Sequence, residues 1–171
     1  MQYPFPNVAL KCLLCGEAGC SRWKGYYDRR VICVLMSYAG PIAIHLAQCR
    51  TRGVDYTYWP DVLIPFHQPS IPTLKVFFDK WKSDDSIRLA IDEIVGQIDQ
   101  EIFIPISVAY VWLVQILKAM ILNHSILSIR SPSSLSVGEL RNYSTHEIRP
   151  LFDDARHWGS AVEKQINIYP P

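Results

Sequence analysis

Cys12 and Cys15 stand two residues apart in the segment CLLCGEAGC, and this spacing constrains the chain more than any other feature. Two intervening residues let a tight backbone turn present both sulfurs to one tetrahedral ion, so the pair reads as half of a thiolate metal site. Closing that site takes two more ligands. Cys20 and Cys49 lie further along, and Arg52 occupies the position three residues after Cys49 where a second pair would carry its partner cysteine. The simplest closed set is therefore Cys12, Cys15, Cys20 and Cys49, with zinc as the ion. His45 competes for the fourth place, but four residues of strand put it about 13 Å from Cys49, too far for one ion without a bend. Buried, reduced thiols that hold nothing are the plain alternative. Cys33, inside VICVL, belongs to the core.

The residues around these thiols read as short strands. RRVICVLM (29–36) is β-branched and apolar, and IAIHLAQC (42–49) alternates, with Ile42, Ile44, Leu46 and Gln48 on one face and His45, Ala47 and Cys49 on the other. Gly40-Pro41 between them predicts the turn of an antiparallel pair. Residues 8–66 are thus expected to form a small, β-rich, zinc-ribbon-like domain, with the proline-bearing WPDVLIPF run as a connector and Trp59 in packing.

After Pro72 the period changes. Leu74, Phe77, Phe78 and Trp81 share one helical face, as do Ile87, Ala90, Ile91, Ile94 and Val95, and the Ser83–Ser86 run stops one helix and caps the next. A third helix is expected from about Ser107, with Pro105 at its entrance. Residues 71–122 so resemble a helix-turn-helix unit, although a plain three-helix bundle has the same period. Residues 123–171 read as a serine-rich linker and a helical extension interrupted near Pro150, ending in INIYPP. The fold class expected is α+β.

Charge is uneven on a chain whose net charge is only +1. Residues 1–58 hold seven basic and three acidic residues, whereas residues 59–100 hold four and seven. A basic first third can face phosphate. The candidate DNA contacts there are Arg22, Lys24, Arg29, Arg30, Arg50 and Arg52, interleaved with Trp23, Tyr26 and Tyr27. On the third helix they are Ser107, Tyr110, Gln115 and Lys118. Adjacent carboxylates such as Asp84-Asp85 and Asp92-Glu93 diverge, and neither a nucleophile elbow nor a phosphate-cradling glycine loop is visible, so no enzyme is expected. An odd number of cysteines and the lack of an export signal predict a reduced, cytoplasmic setting. The apolar stretch 102–122 contains Pro105, Ser107, Gln115 and Lys118, which argues against a membrane span.

The order of these pieces resembles the zinc-ribbon region of bacterial transposon-associated proteins, which resemble the N-terminal part of a transposase. The matching residues are Cys12, Cys15, Gly25, Tyr27, Arg29, Cys49, Thr57, Pro60, Leu63 and Pro65, followed by Tyr110-Val111-Trp112-Leu113 over roughly residues 8–122. The resemblance implies recognition of double-stranded DNA at mobile-element ends, by an adaptor or regulator without its own chemistry. A transposase or other protein is the implied partner, and the apolar helices allow a homodimer. Arg52 in place of a cysteine and Val111 in place of an arginine depart from the pattern. The rival expectation is a protein-interaction module that has lost DNA binding, which the near-neutral charge and aromatic content favour.

Overall fold

The computed structural model describes residues 12, 14–58, 63–64, 67–125, 127, 135–153 and 158. Expectations for residues 8–11, Trp59, Pro60, Pro65, the 128–134 loop and the INIYPP end fall outside them. The described residues form a mixed α+β structure: one three-stranded antiparallel sheet and four α-helices.

The sheet has the order β1 (Ser21–Cys33), β2 (Tyr38–Cys49), β3 (Val54–Tyr58). β1 and β2 pair along their whole length, from Ser21 opposite Cys49 to Cys33 opposite Tyr38, while β3 covers only His45–Cys49. The hairpin turns at Val34–Ser37, not at Gly40-Pro41. Both residues of that supposed turn lie inside β2, for physical reasons. Pro41 sits on the stretch of β2 that β3 leaves unpaired, where a missing N–H is tolerated. Gly40 lies beneath the Tyr38 side chain, whose hydroxyl oxygen a Cβ would meet at 2.6 Å and whose ring at 2.9 Å.

One extra residue in β1, Lys24, makes a bulge between Trp23 and Gly25. Gly25 takes φ +136, a conformation other residues resist. β2 keeps its alternation but changes which face it buries. Ile42 and Ile44 pack with Val31 and Leu63 on one side, whereas Ala47 and Cys49 pack with Cys12, Cys20 and Tyr56 on the other.

Helix α1 (Ile71–Asp84) starts at Ser70, whose hydroxyl accepts from the Thr73 amide, and ends at Asp85 in the left-handed conformation. Its buried face is the one the sequence predicts: Leu74, Phe77, Phe78 and Trp81. Ser86 caps α2 (Ile87–Gly96), and Pro105 stands at the entrance of α3 (Ile106–Leu122). The described residues of the C-terminal extension join this core. α4 (Thr145–Asp153) continues through Pro150 without the expected interruption and buries Ile148, Leu151 and Phe152, with Phe152 against Phe78 at 6.2 Å between ring centroids.

The sheet and the helices are joined by backbone. Ile32 donates to the Gln68 carbonyl and accepts from Ser70, each at 2.8 Å, and the Thr73 hydroxyl donates to the Ile32 carbonyl at 2.9 Å. No helix among the described residues is long and apolar enough to cross a membrane.

Candidate metal centre

Four sulfurs, those of Cys12, Cys15, Cys20 and Cys49, lie within 4.8 Å of one another. Tetrahedral coordination at the usual metal–sulfur bond length separates ligand sulfurs by about 3.8 Å, and Cys20 and Cys49 are already 3.5 Å apart. The donor set is uniformly soft, and its surroundings are largely buried: Cys12, Cys20 and Cys49 are buried and Cys15 is half-buried. These residues fit a metal ion.

The local chain explains the arrangement. After Cys12 and Cys15 the backbone folds back, Gly16 donating to the Cys12 carbonyl at 2.8 Å and Cys12 donating to the Glu17 carbonyl at 3.0 Å. Gly16 and Gly19 both have positive φ, which allows this reversal. Cys49 ends β2, and Gly53, with φ +66, donates to its carbonyl at 2.7 Å in the turn leading to β3. The fourth sulfur arrives from the neighbouring strand. Cys20 immediately precedes Ser21, the residue paired with Cys49, and its carbonyl accepts from the Arg50 amide at 3.1 Å. The thiol that the sequence lacks at position 52 is therefore supplied across the sheet by Cys20.

Hydrogen bonds reach the sulfurs from both turns. Burial works to raise the Cys12 pKa, but the Leu14 and Cys15 amides, with the Tyr56 hydroxyl, outweigh it and bring the pKa down to about 6. The Glu17 amide works to lower Cys15, yet burial and the crowding of Cys20, Cys12 and Cys49 push it up to about 12. The Thr51 hydroxyl, 3.2 Å away, and the Thr51 amide lower Cys20. Burial raises Cys49 against the pull of the Arg52 amide. Two thiols are thus shifted toward the thiolate and two away from it, as expected where four like charges meet without a cation. A divalent ion would favour the thiolate at all four.

The other expected site residues divide into exposed and committed groups. Arg22, Arg30, Arg50 and Arg52 are exposed. Arg50 and Arg52 flank Thr51 in the β2–β3 turn, beside the sulfurs. Lys24 pairs with Asp55 at 2.7 Å. Arg29 turns inward and donates to the carbonyls of Ile64 and His67. On α3, Ser107, Tyr110 and Lys118 are exposed, whereas Gln115 is half-buried, its amide 2.7 Å from Nδ1 of His67. His45 lies outside the thiol group, its ring 4.9 Å from that of Trp23.

Two contributors escape a reading of the sequence. Tyr56, buried and hydrogen-bonded to Ser21, aims its hydroxyl at Cys12, and Thr51 does the same for Cys20. Neither belongs to a spacing motif. Comparison of the chain with models of protein families, with curated proteins and with solved structures returned no match.

Proposed function

We propose that the chain is a zinc-stapled, non-catalytic adaptor that binds double-stranded DNA through the metal end of its sheet. Zinc is the ion favoured by four thiolates in a tetrahedral cage, iron being the other metal that such a donor set holds. One observation carries the reading: the thiol group and the basic turn are a single unit. The amides of Thr51 and Arg52 bond to Cys20 and Cys49, so the sulfurs that would hold the ion also fix the backbone from which Arg50 and Arg52 project. Arg22 is exposed near the same end of β1, and Trp23 and Tyr26 add exposed rings along that strand. Guanidinium groups on a rigid turn can bind phosphates, and planar rings can pack on sugars.

In this reading the helices act as scaffold, because Gln115 is committed to His67 and Lys118 is the only cation on α3. The zinc-ribbon and helix-turn-helix labels, and a place beside a transposase at mobile-element ends, extend the proposal through the resemblance described above.

The test is fluorescence anisotropy of zinc-loaded protein on random duplex DNA over a salt series. Each phosphate neutralised should add about −0.9 to the log–log slope, and replacing Arg22, Arg50 and Arg52 by alanine should remove up to about three such contacts. No binding at low salt, or binding indifferent to chelation of the metal, sinks the reading. Assembly with another protein is the second reading, favoured by the open apolar side of α3.

A further inference from the structure

α3 has the composition of a helix covered on every side. Of its 17 residues only Ser107, Tyr110, Trp112, Gln115 and Lys118 carry a polar side-chain group, and Trp112 is buried. A helix apolar all round belongs inside a protein. One side of α3 is indeed buried, through Ala109, Trp112, Leu113, Ile116, Ala119 and Met120. The other side is open: Ile106 is 56% exposed, Tyr110 48%, Val111 50% and Leu122 59%, and Phe103 just before the helix is 89% exposed. Together these residues present on the order of 500 Å² of apolar surface, more than half of the roughly 800 Å² that each partner contributes to a standard interface. Val114 and Ile121, half-buried on the same helix, extend the patch.

We infer that this face joins two copies of the chain as an antiparallel, two-fold pair of α3 helices. The sequence of the face is self-complementary in that direction. An antiparallel pairing centred between Trp112 and Leu113 sets Phe103 beside Leu122 of the partner, Val111 beside Val114 of the partner, and Ser107 beside Lys118 of the partner. Phe103, Val111, Val114 and Leu122 then each meet an apolar side chain, while Ile106 falls beside Ala119 of the partner and Tyr110 beside Gln115 of the partner. The single cation meets a hydroxyl, whereas a parallel pairing would bring two Lys118 ammonium groups together in a closing interface. A two-fold pair needs one patch that fits itself, and this patch does. The inference stands apart from the DNA reading, since neither the thiols nor the β2–β3 turn takes part.

The test is sedimentation velocity of the full, zinc-loaded chain over a concentration series. A reversible dimer is expected. Val111→Glu places a charge in the seam and should weaken association about 30-fold or more, leaving the monomer's helix content and melting unchanged. Phe103→Asp, outside the helix and almost fully exposed, is a second disruption free of helix effects. Ser107→Glu discriminates direction. It should tighten an antiparallel dimer about two- to fivefold at low salt, by facing Lys118 of the partner, and weaken a parallel one. A monomer at every concentration overturns the inference, as does a dimer indifferent to both Val111→Glu and Phe103→Asp. A dimer weakened by Ser107→Glu overturns the antiparallel arrangement.

Discussion

The Gln115 amide nitrogen lies 2.7 Å from Nδ1 of His67, tying α3 to the segment that leaves the sheet. The amide donates, so the ring must accept at Nδ1 and carry its proton at Nε2. The His67 carbonyl accepts in turn from Arg29 of β1, and one residue so holds a strand and a helix together.

This contact makes the fold sensitive to acid. Burial first, then the charges of Arg29 and Lys118, depress the His67 pKa below 6.5, so the folded state prefers the neutral ring. The unfolded chain binds a proton more readily, and stability falls as pH drops from about 6.5 toward the folded-state pKa. Burial also depresses His45, which contributes to the same slope. His67→Ala should flatten part of the loss between neutral pH and pH 5 in urea titrations, at some cost in stability at neutral pH. An unchanged slope would refute the assignment.

Metal binding should release protons and weaken in acid. With Cys15 pushed up to about 12 and Cys49 also raised, the metal-free centre enters neutral buffer carrying protons that the ion must displace. Isothermal titration in buffers of different ionisation enthalpy should count at least two protons released per zinc near neutrality, those of Cys15 and Cys49. Cys20→Ser should lower affinity by orders of magnitude, whereas Cys33→Ser, remote in the core, should leave it unchanged. Equal effects of the two variants would place the fourth ligand elsewhere.

Tyr56→Phe removes a donor to Cys12 while keeping the ring that fills the space. Outer hydrogen bonds of this kind are worth about 10- to 100-fold in metal affinity. A competition titration against a chromophoric chelator should find a loss at the lower end of that range. Affinity equal to the parent would limit Tyr56 to packing.

Ser37 occupies the left-handed region with φ 46 at the end of the hairpin turn. Ser37→Gly relieves that conformation at some cost in unfolded-chain entropy, a net gain of about 0.5–1 kcal/mol. Thermal melts should shift up by about 1–4 °C.

Leu151, fully buried on α4, tests whether the last helix belongs to the cooperative core. Leu151→Ala should cost about 2–5 kcal/mol and broaden no transition, because α1 and α4 share one apolar cluster. A separate early transition would show that α4 melts alone.

The first three helices were legible because each announces itself locally, whereas α4 runs on through the Pro150 that was expected to interrupt it. The apolar spacing of Leu74, Phe77, Phe78 and Trp81 set the buried face of α1, and Ser86 marked the entry to α2. The four thiols were legible too, since the choice of Cys20 over His45 followed from strand rise alone. The sheet was harder to read. Gly40-Pro41 looks like a turn to any local rule, and only the short reach of β3 and the ring of Tyr38 explain its place within a strand. The strand alternation correctly separated Ile44 from Cys49, but not that both faces would be buried at opposite ends, which follows from the Lys24 bulge and from chain arriving at Cys12. Arg29 and Gln115 illustrate the same limit: a side chain that looks available in sequence can be engaged by a carbonyl or ring from a distant segment.

The turn between β2 and β3 divides its labour between backbone and side chains. Its amides hold sulfur, while the side chains at positions 50 and 52 are exposed to solvent. Those two positions can therefore change freely over generations without disturbing the staple beneath. A lineage could retune what this end of the molecule touches by rewriting two codons, while the scaffold that presents them stays fixed.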